Sequence, residues 1–498
     1  MAVPLLVSVF IIATCGLVYE LIAGTIASYL LGDSITQFST IIGAYLFSMG
    51  IGSYAAKYVS KGLIARFIQI EIMVGLLGGA SSTLLFLAFQ EVAAFRLVLY
   101  LLVGLIGALV GMEIPLMLRI LKDQLQFHDL VSKVLSLDYL GALAASIIFP
   151  LWLVPKVGLV RASIIFGVLN VGVALWACRL FREHLPAVRL LAAEAIVALI
   201  LLGVGFAAAD RITDLSEAHL YSDEVIYSRT TPYQRIVLTR SRDDIRLYLG
   251  GHLQFSSFDE YRYHEALVHP GLASVAKPDR VLVMGGGDGL AIREILKDPR
   301  VQSITLVDLD PAMTTIFRDH PMFSQLNNHS FLDPKVHVIN ADAFVWLKEN
   351  EGQYDFIVVD FPDPSNYSLG KLYTTTFYGL MRRHLAPDGV GVVQSTSPLF
   401  ARQSYWCIAE TMKSSGFAVT PYHVFVPSFG EWGYVIATHG AFHLAEAYPP
   451  GLRFLNATTA KTLFEFPEDM KAVPVEINRL NNQILVHYYD SEWRKLSP

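Results

Sequence analysis

Long apolar runs fill the first two fifths of the chain, and short alternating runs fill the rest. Seven stretches, at roughly 5–31, 37–59, 68–89, 95–118, 138–155, 157–178 and 187–208, carry few charges. Each approaches the about 20 residues that a helix needs to cross a hydrocarbon core. The pattern predicts a multi-span α-helical membrane domain over 1–209. The first run is too long for a signal peptide, lacks a basic start and is followed by more runs. Gly43, Ser48, Gly50, Gly52 and Ser53 recur at helix-packing spacing, which predicts close helix crossings. Glu20 and Glu113 interrupt apolar runs. Such carboxyls are read as a ligand or ion site, or as protonated groups that only pack helices.

From Val225 the period changes. VIYSRT, RIVLTRS and IRLYLG alternate like strands and are separated by turn formers, so a small β-hairpin domain is expected over 220–275. An acidic, aromatic stretch from Phe258 to Glu265 then opens a helix. After Pro278, strands alternate with helices, which predicts an α/β Rossmann-like (class I methyltransferase-like) domain over 276–498. The strand Arg280–Met284 runs into Gly285-Gly286-Gly287-Asp288-Gly289 and a helix from Leu290. The next strand, Ser303–Val307, ends in Asp308. Glycines permit a tight turn and close backbone approach, and an acid about 20 residues on can bind ribose hydroxyls. Asp288 inside the glycine loop would repel a diphosphate and favours a cationic ligand, such as an S-adenosyl sulfonium compound.

Composition sharpens this division. The chain is 53% hydrophobic and only 16% charged, against about 25% charged for a soluble protein. The formal charge of −6 argues against a general nucleic-acid binder. It is unevenly spread, near +2 up to residue 209 and near −8 beyond, which suits cationic ligands and also ordinary solubility. Cys15, Cys178 and Cys407 are too scattered for a disulfide framework or a metal centre.

Two further strand ends carry acids. Val336–Ile339 leads to Asp342, which either accepts from an adenine amino group or caps the next helix. Tyr354–Val359 ends in Asp360-Phe361-Pro362-Asp363-Pro364, where open α/β sheets bind ligands. Two carboxylates three residues apart, stiffened by prolines, suit an ammonium group. The following stretch, Asn366–Lys371, is rich in glycine, serine and asparagine and reads as a lid.

Together these segments resemble the spermidine synthase family of polyamine aminopropyltransferases. The matching stretches are YQRIVL (233–238), LYLGGHLQ (247–254), DEYRYHEALVHP (259–270), GGGDGLAIREIL (285–296), VDLDP (307–311), NADAF (340–344), DFPDP (360–364), KLYTTTFY (371–378) and VVQSTSP (392–398). The resemblance implies transfer of an aminopropyl group from decarboxylated S-adenosylmethionine, as co-substrate, to putrescine or a related amine, without a permanently bound cofactor. It implies that Gln234, Gly285, Gly287 and Asp308 meet the nucleoside, Asp342 the adenine, and Asp288 the aminopropyl ammonium. Gln254, Tyr263 and His264 would line the cleft, Asp360 would be the base at the attacking amine, and Asp363 would hold the polyamine. Gly250, Leu290, Phe361-Pro362 and Ser365-Asn366-Tyr367 depart from the family pattern and put the acceptor's identity in question.

The expected partners are a small amine, the lipid bilayer and a second copy as a dimer, with no nucleic acid. The expected place is the cell (inner) membrane, multi-pass, with a cytoplasmic catalytic half. Loop charges point the other way, because Lys and Arg cluster in alternate loops that would leave that half outside. The competing readings are an S-adenosylmethionine-dependent methyltransferase and a polyamine-binding membrane transporter or sensor.

Overall fold

The computed structural model describes the chain except Met1 and residues 32–33, 89–91, 123–126, 184, 222, 494 and 496–498. Residue 89, the end of the third apolar run, thus lies outside the described residues. The chain divides into two compact units, Met1–Val225 and Ile226–Pro498.

The first unit contains α1 (Ala2–Leu31), α2 (Ser34–Ala55), α3 (Leu63–Ala88), α4 (Val92–Leu121), α5 (Phe127–Ile148), α6 (Leu159–Leu180) and α7 (Val188–Leu220). Among the described residues, six of these are long and apolar enough to cross a membrane, so the expected count of seven falls by one. The exception is α2, whose sequence mixes serine, threonine and glycine with its apolar residues. Between α5 and α6 the run Phe149–Val157 winds as a π-helix containing Pro150 and Pro155, and ends at Gly158 with φ 80°. Prolines remove N–H donors from the regular helical ladder there.

Small residues set the helix crossings, as expected, but not all the ones expected. A Cβ on Gly52 would lie 1.8 Å from the carbonyl oxygen of Ala108, so α2 and α4 touch backbone to backbone. Gly75 and Gly167 serve α3 and α6 the same way. Gly43 and Gly50 face open space. The bundle also presents Phe47, Leu97, Tyr139, Leu151, Leu190 and Val204 outward.

A four-stranded sheet opens just before the second unit, with strands β1 (Glu224–Thr230), β2 (Arg235–Ser241), β3 (Asp244–Leu249) and β4 (His252–Ser256), of which β2, β3 and β4 pair antiparallel. The turn from β3 to β4 uses Gly250 and Gly251 at φ 56° and 87°. That left-handed backbone is open to glycine at little cost. Next come the helix α8 (Glu260–Leu272) and a seven-stranded sheet. Its strands are β5 (Arg280–Gly285), β6 (Ser303–Asp308), β7 (Val336–Asn340), β8 (Tyr354–Asp360), β9 (Leu385–Gln394), β10 (Ala418–Val426) and β11 (Gly430–Thr438).

The strand order is β10-β11-β9-β8-β5-β6-β7. The strands from β7 to β9 are parallel, and β10 and β11 close one edge as an antiparallel hairpin. Val281 to Met284 have no exposed surface, the pattern of a strand covered on both faces. Burying each such side chain stabilises the fold by about 1.5–3 kcal/mol. From β5 the chain runs to β6 and β7 on one side, then returns to β8 on the other. That reversal opens a crevice at the carboxyl ends of β5 and β8.

Candidate active site

Parallel pairing lines up the strand ends that the sequence singled out. Gly285 pairs with Asp360 across β5 and β8, and Asp308 pairs with Asn340 across β6 and β7. Gly285, Gly286 and Gly289 all have φ near +70°. A Cβ on Gly285 would stand 2.2 Å from the carbonyl oxygen of Asp360, so only glycine fits between the two strands. The loop therefore delivers Asp288, Asp308 and Asp360 to one crevice, with Asp288 8% exposed and the other two half-buried.

Each carboxyl is held by a specific partner. The Tyr263 hydroxyl donates to Asp360 Oδ1 at 2.6 Å. Asp308 Oδ1 accepts the Asp310 N–H at 2.9 Å. Asp288 Oδ1 accepts the Leu290 N–H at 2.9 Å, which starts the helix after the glycine loop. Asp363 accepts from Gln394 Nε2 (3.0 Å) and Thr396 Oγ1 (2.9 Å), and Thr396 takes φ +58° to reach it.

Burial pushes these groups up. Asp308 rises to about 7, and Asp288 and Asp363 to about 6, each chiefly because burial penalises the charged form. Asp360 is raised for the same reason, with His264 and Tyr263 opposing the rise. A raised carboxyl favours the fold below its unfolded value, and that contribution is lost as pH rises through about 6 to 7. A cation bound to the ionised site should restore it. Decarboxylated S-adenosylmethionine is therefore expected to raise the melting temperature more at about pH 8 than at about pH 6. Scanning calorimetry at both values checks this, and equal shifts would contradict it.

Other predicted residues sit less simply. His264 is 2% exposed, with Nδ1 against Glu260 Oε2 at 2.8 Å. Burial alone would depress it, but the Glu260 bond and charge outweigh that and raise it. Glu260 in turn takes both ends of the Arg293 guanidinium at 2.9 and 2.8 Å. Gln234 donates to Asp310 Oδ2 at 3.3 Å, beside a Thr231 hydroxyl that donates to the same oxygen at 2.8 Å. Asp342 accepts from Phe344 and Val345 N–H groups as a helix cap and pairs with Lys371 Nζ at 2.6 Å. Lys371 and the capping amides hold Asp342 low despite its burial. Gln254 bonds the carbonyl of His252 on its own strand (3.1 Å).

Phe361, expected beside the amine, is buried in the apolar layer, its ring 5.6 Å from that of Phe377. Leu290 likewise has no exposed surface. These departures from the family pattern are packing changes. Asp310, Glu260 and Thr396 were missed by sequence reasoning. Only Asp310 carried a local signal, as an Asp-Pro helix start.

Within the first unit, Glu20 and Glu113 are 8% and 2% exposed. Glu71 was overlooked in its apolar run, yet it is fully buried and accepts from Asn170 Nδ2 at 2.9 Å. The Tyr19 hydroxyl donates to Asn170 Oδ1 at 3.1 Å. Among the described residues, no group of acidic, histidine or cysteine side chains is arranged to hold a metal ion.

The spermine/spermidine synthase domain family matches residues 260–444. The chain is similar to the polyamine aminopropyltransferase of Leptospira interrogans, with 56% identity over 100% of both chains. It is 55% identical to polyamine aminopropyltransferase 2 of Ralstonia nicotianae, over 98% of each. Spermidine synthase from Thermotoga maritima is 25% identical, with a TM-score of 0.45 over 49% of this chain and 85% of that one.

Proposed function

Since the chain belongs to the spermine/spermidine synthase family and is an aminopropyltransferase using decarboxylated S-adenosylmethionine, we propose that its acceptor is putrescine or a similar diamine. The observation that carries this is the pair Asp360 and Asp363. Both are raised by burial and anchored by neutral donors, on a turn stiffened by Pro362 and Pro364. One carboxylate suits the attacking amine and the other suits the far ammonium of a short diamine.

The amine nitrogen forms a bond to the aminopropyl carbon next to sulfur as the carbon–sulfur bond breaks. The bonding pair goes to sulfur, so a neutral thioether, methylthioadenosine, leaves without acid assistance. The new ammonium releases one proton, and Asp360 is the group we assign to receive it or to orient the amine that has already lost it. Burial serves both roles, since a carboxyl near 4 is a weak base for an amine near 10. Asp288 would hold the aminopropyl ammonium and Asp308 the ribose hydroxyls. Asp342 caps its helix and pairs with Lys371, and its remaining lone pairs would accept from the adenine amino group. Mass spectrometry of the products from a panel of diamines and triamines tests the reading. Exclusive turnover of a triamine would overturn the diamine assignment.

We also infer that the first unit anchors the enzyme in the bilayer with the catalytic unit in the cytoplasm. Six long apolar helices and the outward apolar side chains support the anchor, and supply of a metabolic co-substrate supports the side. Protease added to intact cells is expected to spare the catalytic unit, and protease on inverted vesicles to remove it. The loop charges favour the opposite result, so the experiment separates the two.

A further inference from the structure

The family match ends at residue 444, but the chain after it packs on the loop that follows Asp360–Pro364. Asn478, with no exposed surface, fixes it there. Its Nδ2 donates to the carbonyls of Gly370 (3.2 Å) and Tyr373 (3.1 Å), and its backbone carbonyl accepts the Thr375 N–H (3.1 Å). Its Oδ1 accepts the Leu485 N–H (3.3 Å), and its own N–H donates to Thr411 Oγ1 (3.0 Å). Both amide protons and the amide oxygen are therefore engaged, which sets the orientation of the side chain. Turned over, its oxygen would face two carbonyls. A Cβ on Gly370 would lie 2.5 Å from Val486 and 2.7 Å from Gln483, and the Tyr367 hydroxyl meets His487 Nε2 at 3.3 Å. The stretch Asn366–Lys371, expected to be a lid, is thus pinned near both ends.

The turn that Asn478 holds touches both halves of the site. On one side, Lys371 Nζ pairs at 2.6 Å with Asp342, the carboxylate assigned to the adenine. On the other, the Tyr373 hydroxyl donates to the carbonyls of Pro362 (3.1 Å) and Phe361 (3.4 Å), the two residues between Asp360 and Asp363. Tyr373 has no exposed surface. Gln394 Nε2 also donates to the Phe361 carbonyl, at 2.8 Å. Pro362 and Pro364 bring no N–H of their own, and side chains from outside the turn hold its carbonyls. The bonds therefore run in series, from Asn478 to the Tyr373 backbone and from the Tyr373 hydroxyl to the backbone joining the two carboxyls.

We propose that Asn478 is a positioning residue for the reaction. It holds Lys371 at Asp342 and Tyr373 at the Asp360–Pro364 turn, so that the donor and acceptor carboxyls keep one spacing. It touches neither substrate. Tyr373 passes the constraint to the acceptor half alone, whereas Asn478 governs both halves. The inference rests on the assignment of Asp360 and Asp363 to the amine and of Asp342 to the adenine, and it holds for whichever amine the enzyme turns over.

The test uses the full-length protein with its best amine. Tyr373→Phe, nearly isosteric, is expected to raise the acceptor KM about 5- to 10-fold, the worth of one hydrogen bond lost from a buried carbonyl. Its affinity for methylthioadenosine should stay within about twofold. Asn478→Ala is expected to lower kcat/KM for the amine about tenfold or more and to weaken methylthioadenosine binding about fivefold or more. Circular dichroism reports whether each variant is folded. A folded Asn478→Ala that melts at lower temperature, with turnover and binding unchanged, would make the residue a stability anchor and overturn the proposal. An unchanged acceptor KM in Tyr373→Phe would overturn it too, and decides the matter should Asn478→Ala not fold. Asp360→Asn and Asp363→Asn test the premise separately: if neither alters amine turnover, the site assignment itself fails.

Discussion

Asp360→Asn is expected to lower kcat about 10²- to 10⁴-fold, the range for loss of a positioned proton acceptor, while the donor still binds. The substitution keeps shape and volume. It also keeps an oxygen to accept the Tyr263 hydroxyl, bonded at 2.6 Å in the native protein. What disappears is the negative charge facing the amine. Asp288 and Asp308, the other carboxyls of the crevice, remain, so calorimetric affinity for decarboxylated S-adenosylmethionine should change less than about threefold. Rapid-quench measurement at saturating donor separates chemistry from product release. A kcat reduced less than tenfold would show that the amine reaches the sulfonium carbon without help from Asp360.

Gly287→Ala should instead strike at the donor. A Cβ there would stand 2.7 Å from Asp308 Oδ2 and 2.8 Å from its Cγ. Asp308 cannot swing aside cheaply, since its Oδ1 holds the Asp310 N–H at 2.9 Å. Relieving such overpacking costs about 1–3 kcal/mol, which corresponds to a loss of donor affinity of roughly 5- to 150-fold. Asp360 and Asp363, the carboxyls assigned to the acceptor, lie at the end of β8 and just after it, so the amine KM at saturating donor should barely move. Titration calorimetry with methylthioadenosine gives the affinity directly. Unchanged affinity would mean that the nucleoside does not rest against the glycine loop.

Much of the donor half was legible in the chain because each part is local. A strand running into Gly285–Gly289 and a helix is one continuous stretch, as is a strand ending in Asp308 or Asp360. The hydrophobic period, the glycines and the acids occur together within a few residues. Parallel pairing then brings such strand ends into one crevice without further instruction. Lengths of apolar sequence announced the helical unit for the same reason, although glycine at packing spacing did not reveal which glycines would meet a neighbour. Gly52 does, while Gly43 and Gly50 do not.

The acceptor half was legible only in outline. Asp363 is visible in its motif, but its donors, Gln394 and Thr396, lie 31 and 33 residues on. Phe361 looked like a change in the amine pocket, and tertiary packing turned it into the core. Glu71 looked unremarkable in its run until Asn170, 99 residues away, became its partner. By itself the sequence determined the two-part architecture, the glycine loop and the acids at the strand ends, since period and turn chemistry act over a few neighbouring residues. Only the tertiary structure decided which side chains share a carboxylate and which departures merely pack. Those contacts join residues far apart in the chain, and no local pattern encodes them.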